Sequence, residues 1–260
     1  MADPMHQFEV HKVVDIPPVN VPGLGLIDIS ITNSSLAMMV AFGLVVLFFS
    51  VVTASPKVVP GRMQVVGEGM FSFIDDLATG VIGPEGRSFF PYIFTLFIFI
   101  LAMNMLGMFT VFTATAQLAV GLTFALMTFA LVIVVGLVRN GLGFFKLFLP
   151  SGVPWYLWIL VIPIEIISFF LRPVTLSLRL FGNMLGGHVA MKVFAGFIVS
   201  LSALAAAGGV AYLAYVAAFL AFGGVLALTA LEFLVAFLQA FVFAVLTCVY
   251  LNDAVHAGHH

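Results

Sequence analysis

Two stretches towards the C-terminal end constrain the fold more than any other feature. Residues 155–207 form one predominantly apolar run, and residues 208–251 form another. Apolar runs beyond about 18 residues are the signature of membrane-spanning helices. As continuous helices these two would reach about 80 and about 65 Å, against a hydrocarbon layer of about 30 Å. Either each is broken, or both lean strongly and form one long antiparallel hairpin. Pro163, Pro173, Gly182, Gly186 and Gly187 supply kink sites in the first run.

Composition agrees with a membrane setting. The 260 residues are 63% hydrophobic and 8% charged, where a soluble globular domain carries about 25% charged residues. The chain therefore reads as a polytopic integral membrane protein. Its single cysteine, Cys248, lies in an apolar run and reads as a small buried hydrophobe, which leaves no intramolecular disulfide and no Cys-rich metal site. No glycine-rich phosphate loop and no internal repeat is visible. Neither a metal, a cofactor nor a nucleic-acid partner is expected. The opening MADPMHQFEVHK lacks a basic n-region and a small-residue cleavage site, so it does not read as a signal peptide.

Residues 1–34 are the most polar part, broken by Pro17, Pro18, Pro22, Gly23 and Gly25. They read as an arm outside the membrane, with IDISIT briefly extended. Residues 35–260 read as a single integral membrane domain, with Asn33 or Ser34 capping a first span from about Leu36 to Ala54. Within residues 61–84, Met63, Val66, Met70, Phe73, Ile74, Leu77 and Val81 fall on one helical face. Gln64, Glu68, Ser72, Asp75, Asp76 and Thr79 fall on the other, which suits a helix lying in the interface. Further spans run from about Phe89 to Phe112 and from about Leu118 to Val138, joined by a short polar turn at Thr113 to Gln117, and Phe144 to Leu149 reads as lying at the surface. The expected fold is thus all-α and polytopic. It has about five membrane-embedded helices and an interfacial amphipathic helix, the last two spans being long and tilted as an antiparallel hairpin over 155–251. If the first span runs inward, Lys57, Arg62, Arg87, Arg139 and Lys146 share the cytoplasmic side against Lys12 in the arm. The positive-inside rule then puts the N-terminus outside the cytoplasm.

Ionisable groups inside the long runs are Glu165, Arg172, Arg179, His188, Lys192 and Glu232, with Asn183 and Gln239 as polar companions. Intramembrane ionisable residues are costly and point to function by default. Arg172, beside Pro173, reads either as snorkelling or as structural, and Lys192 reads as interfacial. Arg179 stands too far from either end of its run to snorkel. In an antiparallel hairpin Glu232 falls near the depth of His188, and Gln239 near that of Arg179. Arg179 and Asn183 share a helix face, and so do Glu232 and Gln239. His188 is about half a rotation from Arg179. Either the Gly186–Gly187 pair distorts the helix, or His188 faces Glu232 while Arg179 faces something else. His and Glu can exchange protons near neutral pH, whereas arginine, always charged, cannot relay them. The pattern reads as an ion path with a fixed cationic barrier. No acidic residue of the chain stands obviously opposite Arg179, so a partner subunit is expected to supply one.

The runs PIEIISFFLRPVTLSLRLFGNMLGGH and TALEFLVAFLQAFVFAVLTCVYL, with FPYIFTLFIFILAMNMLG before them, closely resemble subunit a of the F-type rotary ATP synthase. The resemblance extends from about residue 85 to 252 and is loose before it. It implies a non-enzymatic, all-α stator subunit of the bacterial inner membrane, whose two long tilted helices hug a rotating ring of c subunits. The partners implied are that ring, b-type peripheral-stalk subunits, lipid and protons. The resemblance also implies roles. Arg179 separates two half-channels and holds the passing ring carboxylate deprotonated, and Asn183 is the asparagine of the same motif. Glu165 is associated with the cytoplasmic half-channel, His188 and Glu232 with the outer one, and Gln239 neighbours the arginine. Many bacterial members place the acid and the histidine the other way round, and the order here is like the mitochondrial one, hinting at an α-proteobacterial relative. The His–Glu pair leans towards H⁺ over Na⁺.

Two other classes are weighed and set aside. A secondary transporter holding an anionic substrate at Arg179 predicts inverted repeats, and none is visible. An intramembrane hydrolase needs a nucleophile and base, and Ser168 and Ser177 have no histidine on a suitable face.

Overall fold

A computed structural model describes residues 10–17, 19–21, 25–27, 30–54, 57–109, 113–148, 155–206 and 211–256. Six α-helices dominate: α1 (Asn33–Thr53), α2 (Arg62–Ile82), α3 (Gly86–Phe109), α4 (Leu118–Asn140), α5 (Trp158–Ala206) and α6 (Ala211–His256). All except α2 contain a stretch long and apolar enough to cross a membrane. The expected all-α polytopic architecture is therefore the observed one. The chain forms two compact units of interleaved segments. The first unit comprises Met1–Ala41, Met103–Gln117 and Phe181–Leu238, and the second comprises Phe42–Ala102, Leu118–Leu180 and Gln239–His260.

In the first unit the arm carries more order than a brief extension of IDISIT. Strands β1 (Lys12–Val14) and β4 (Ile31–Thr32) pair antiparallel, as do β2 (Val19–Val21) and β3 (Gly25–Ile27). The first helix begins with a reciprocal cap one residue before the expected Asn33 or Ser34. Ser35 N donates to Thr32 Oγ1 at 3.3 Å, and Thr32 N donates to Ser35 Oγ at 2.9 Å. Two of the amides that a helix start leaves unpaired are thereby satisfied.

In the second unit α2 is helical as expected, but its buried stripe is Gly67, Ile74, Ala78 and Ile82. Of the large apolar residues that its periodicity singles out, Met63, Val66 and Phe73 are exposed. Lipid is as apolar as a protein core, so hydrophobicity does not mark the side that meets protein. Small residues do, because they let helices approach closely, and Gly67 lies hard against Val52 of α1. Gly83 ends the helix at φ +86°, its N–H donating to Thr79 O, a conformation that glycine alone adopts without strain. Phe71 of α2 packs on Phe90 and Phe94 of α3, ring centroids 4.4 and 5.9 Å apart. Tyr92 of α3 hydrogen-bonds Thr128 of α4 at 2.8 Å. A 3-10 segment, Gly141–Phe148, follows α4. Phe144, expected at the surface, is buried because the missing side chain of Gly136 leaves a seat for its ring, while Phe145 is exposed.

The two long runs are helices of 49 and 46 residues. Among the described residues α5 is unbroken, with Pro163 and Pro173 inside it, and α6 extends past the expected end at 251 to His256. They run antiparallel. In the first unit Phe194 lies against Gly224, Met191 accepts from Thr229 Oγ1, and Gly187 faces Glu232, so partner numbers rise as the others fall. In the second unit Arg172 reaches Asp253. Cys248 is fully buried within α6.

Candidate ion-path groups

In the second unit, Leu176, Ser177 and Leu180 of α5 are buried, and Arg179 between them is exposed. One turn of helix thus splits into an apolar side packed on protein and a side that carries the cation outward. Among the described residues Arg179 makes no ion pair and no hydrogen bond. Gln239 on α6 is 2% exposed.

Arg172 behaves differently. Its guanidinium donates to Asp253 at 3.1 Å, stands 3.9 Å from Glu165, and lies over the Tyr250 ring at 5.0 Å from its centroid. Of the two sequence readings the structural one applies. A cation drawn partly out of water is tolerated when a carboxylate and an aromatic face replace its hydration. Glu165 is half-buried and belongs to the same cluster. Asp253 and Tyr250 were not legible as its partners, since they arrive from the far end of α6.

In the first unit, His188 is 8% exposed. Its Nε2 lies 2.9 Å from Thr113 Oγ1, and Thr113 Oγ1 donates to Gly107 O at 3.2 Å. Glu232 sits against Gly187, where any side-chain carbon would run into its carboxylate. Its Oε2 is buried with no hydrogen-bond partner among the described residues. Asn104 of α3, fully buried, donates to Ala236 O at 3.1 Å, while its Oδ1, Thr115 Oγ1 and Gln117 Nε2 are buried and unpartnered among the described residues. One contact cluster ties these elements together: Ala116, Met184 and Ala236 pack against each other, beside Thr115 and Gln117 and one turn from His188 and Glu232. Asn183 is exposed.

The structure therefore brings His188 and Glu232 onto facing stretches of α5 and α6, as the hairpin reading expects. It adds Asn104, Thr113, Thr115 and Gln117, which sequence reasoning passed over as part of a span and a polar turn. The legible signal was an amide and hydroxyls next to apolar spans, in a chain poor in polar groups. Among the described residues no group of His, Cys, Asp and Glu could hold a metal.

A set of membrane-length helices that keeps a histidine, a carboxylate and amides within its apolar spans has the polar groups that an ion-conducting protein needs. Comparison with known proteins narrows that class. The family described as ATP synthase A chain matches residues 35–252, well before the expected start near 85. The chain is 52% identical to "ATP synthase subunit a" of Hyphomonas neptunium, over 99% of this chain and 98% of that protein. It is 50% identical to that of Maricaulis maris over the whole of both chains. It is 47% identical to that of Mesorhizobium japonicum over 99% of this chain and 98% of that protein. The chain belongs to the ATP synthase A chain family, that of subunit a of the bacterial F-type enzyme. It is a non-catalytic, proton-translocating stator subunit, crossing the inner membrane several times.

Proposed function

We propose that the chain offers protons two offset half-channels, to and from a carboxylate on a rotating ring of c subunits, with Arg179 as the barrier between them. The observation that carries this reading is a permanent cation, exposed midway along α5, with no ion pair or hydrogen bond among the described residues. Arginine cannot pass a proton on, but it attracts a carboxylate brought by another subunit and repels protons that would leak past. His188 and Glu232 serve the outer half-channel. In support, the segments packed on theirs carry buried polar atoms of Asn104, Thr115 and Gln117, of the kind that water satisfies. Glu165 serves the cytoplasmic half-channel, and Asn183 and Gln239 accompany the arginine.

The excess of Lys and Arg on one side supports an extracytoplasmic arm over residues 1–34, a membrane domain over 35–260 and a cytoplasmic C-terminus. The hairpin of 155–251 carries the path. Its partners are the c-ring, b-type peripheral-stalk subunits and lipid. One charge crossing about 100 mV yields about 2.3 kcal/mol, so several protons are summed per ATP and a leak would be wasteful. In the reconstituted complex, Arg179→Ala is expected to abolish ATP synthesis and to permit passive proton flow. ATP-driven pumping at the normal rate in that variant would sink the reading.

A further inference from the structure

We infer that Thr113 is a positioning residue for His188, holding the imidazole in one tautomer so that protons load and unload at Nδ1 alone. This rests on the proposed place of His188 in the proton path.

The argument is one of counting protons. A threonine hydroxyl has one proton to donate and lone pairs to accept with. Thr113 Oγ1 lies 3.2 Å from Gly107 O, and a carbonyl oxygen can only accept, so the hydroxyl proton points there. Towards His188, 2.9 Å away, Oγ1 is then left as an acceptor, and Nε2 must carry its hydrogen. Neutral His188 therefore keeps its lone pair on Nδ1, the tautomer being fixed by the partner of the other nitrogen. Once Nδ1 is protonated, Nε2–H still donates to the same oxygen. The hydrogen bond survives both charge states, and the ring need not turn between taking a proton and giving it up.

The setting enforces this arrangement. Thr113 is 2% exposed, so its oxygen is closed to bulk water. Gly107 has no side chain where one would strike the Thr113 methyl, which lets the hydroxyl approach the carbonyl. Lys192, one turn along α5, acts electrostatically on the ring, and the carboxylate of Glu232 on α6 lies against the neighbouring Gly187. The facing segments Met103–Phe109 and Thr113–Gln117 bring only hydroxyls and amides as polar side chains.

The test uses the membrane sector, with its ring, in liposomes, measuring passive proton conductance between about pH 6 and pH 9. Thr113→Val keeps the shape and removes the acceptor. It is expected to lower conductance about fivefold and to displace the pH midpoint, while Thr113→Ser restores both. Gly107→Ala, which pushes the threonine aside, should reproduce the valine phenotype and stands in for it if Thr113→Val does not assemble. Added to His188→Ala, Thr113→Val should have no further effect. If His188→Ala blocks flux but Thr113→Val and Gly107→Ala leave conductance and midpoint unchanged, the inference falls and the half-channel reading stands. A serine variant that behaves like valine also overturns it. If His188→Ala conducts normally, the half-channel reading itself fails, and this inference with it.

Discussion

Arg172 and Arg179 stand two turns apart on one helix, and their surroundings give them opposite employment. Arg172 is held by a carboxylate and an aromatic ring, whereas Arg179 is exposed, with no ion pair or hydrogen bond among the described residues. Sequence could isolate Arg179, because depth in an apolar run is visible in spacing. It could not assign Arg172, because Asp253 lies 81 residues away. Gly187 was legible only as a place to kink. In an unbroken helix its use is steric, since it leaves room for the Glu232 carboxylate. Glu232→Gln removes the titrating group and should slow proton flux. Gly187→Ala should slow it too, by displacing that group, while Gly196→Ala, where a methyl meets nothing, serves as control. Fluxes of Glu232→Gln and Gly187→Ala equal to the unmodified protein between about pH 6 and pH 9 would remove Glu232 from the path.

Among the helices, existence was readable and facing was not. Five apolar runs announce five spans because a polar backbone in lipid must satisfy itself within the helix. Which side of α2 meets protein could not be read, since Met63 and Phe73 are as content in lipid as in a core. Helix α6 runs five residues past the expected end at 251, an end expected because the apolar run that marks it stops at Leu251. The neighbourhood of Asn252 and Asp253 instead extends the helix: Arg172 takes the Asp253 carboxylate, and Asn140 Nδ2 donates to Ala254 O, satisfying a carbonyl that a helix end leaves open. Arg172→Ala is expected to loosen the last two turns of α6 and to lower stability by about 1–3 kcal/mol. Thermal unfolding in detergent and amide exchange over residues 246–256 measure this, and unaltered exchange there would show that the pair contributes nothing.

At the scale of the molecule, apolar side chains such as Phe42, Leu47, Phe219 and Leu220 are exposed, which water would not tolerate and lipid does. In the first unit buried polar side chains gather near His188, and in the second Arg172 is paired with Asp253. Because a His–Glu pair handles protons near neutral pH, ATP-driven pumping by the assembled enzyme is expected to run equally well with and without Na⁺. A dependence on Na⁺ would assign the ion choice to the ring and overrule the His–Glu pair.

Cys248 is the only cysteine in the chain, and its thiol is fully enclosed within α6. For thiol chemistry the native protein is already a silent background. Water-soluble maleimides and silver ions would leave Cys248 untouched, so a cysteine introduced at Asn104, Thr115 or Asn183 reports its own contact with water, and the wet parts of the chain can be mapped residue by residue without first rebuilding it.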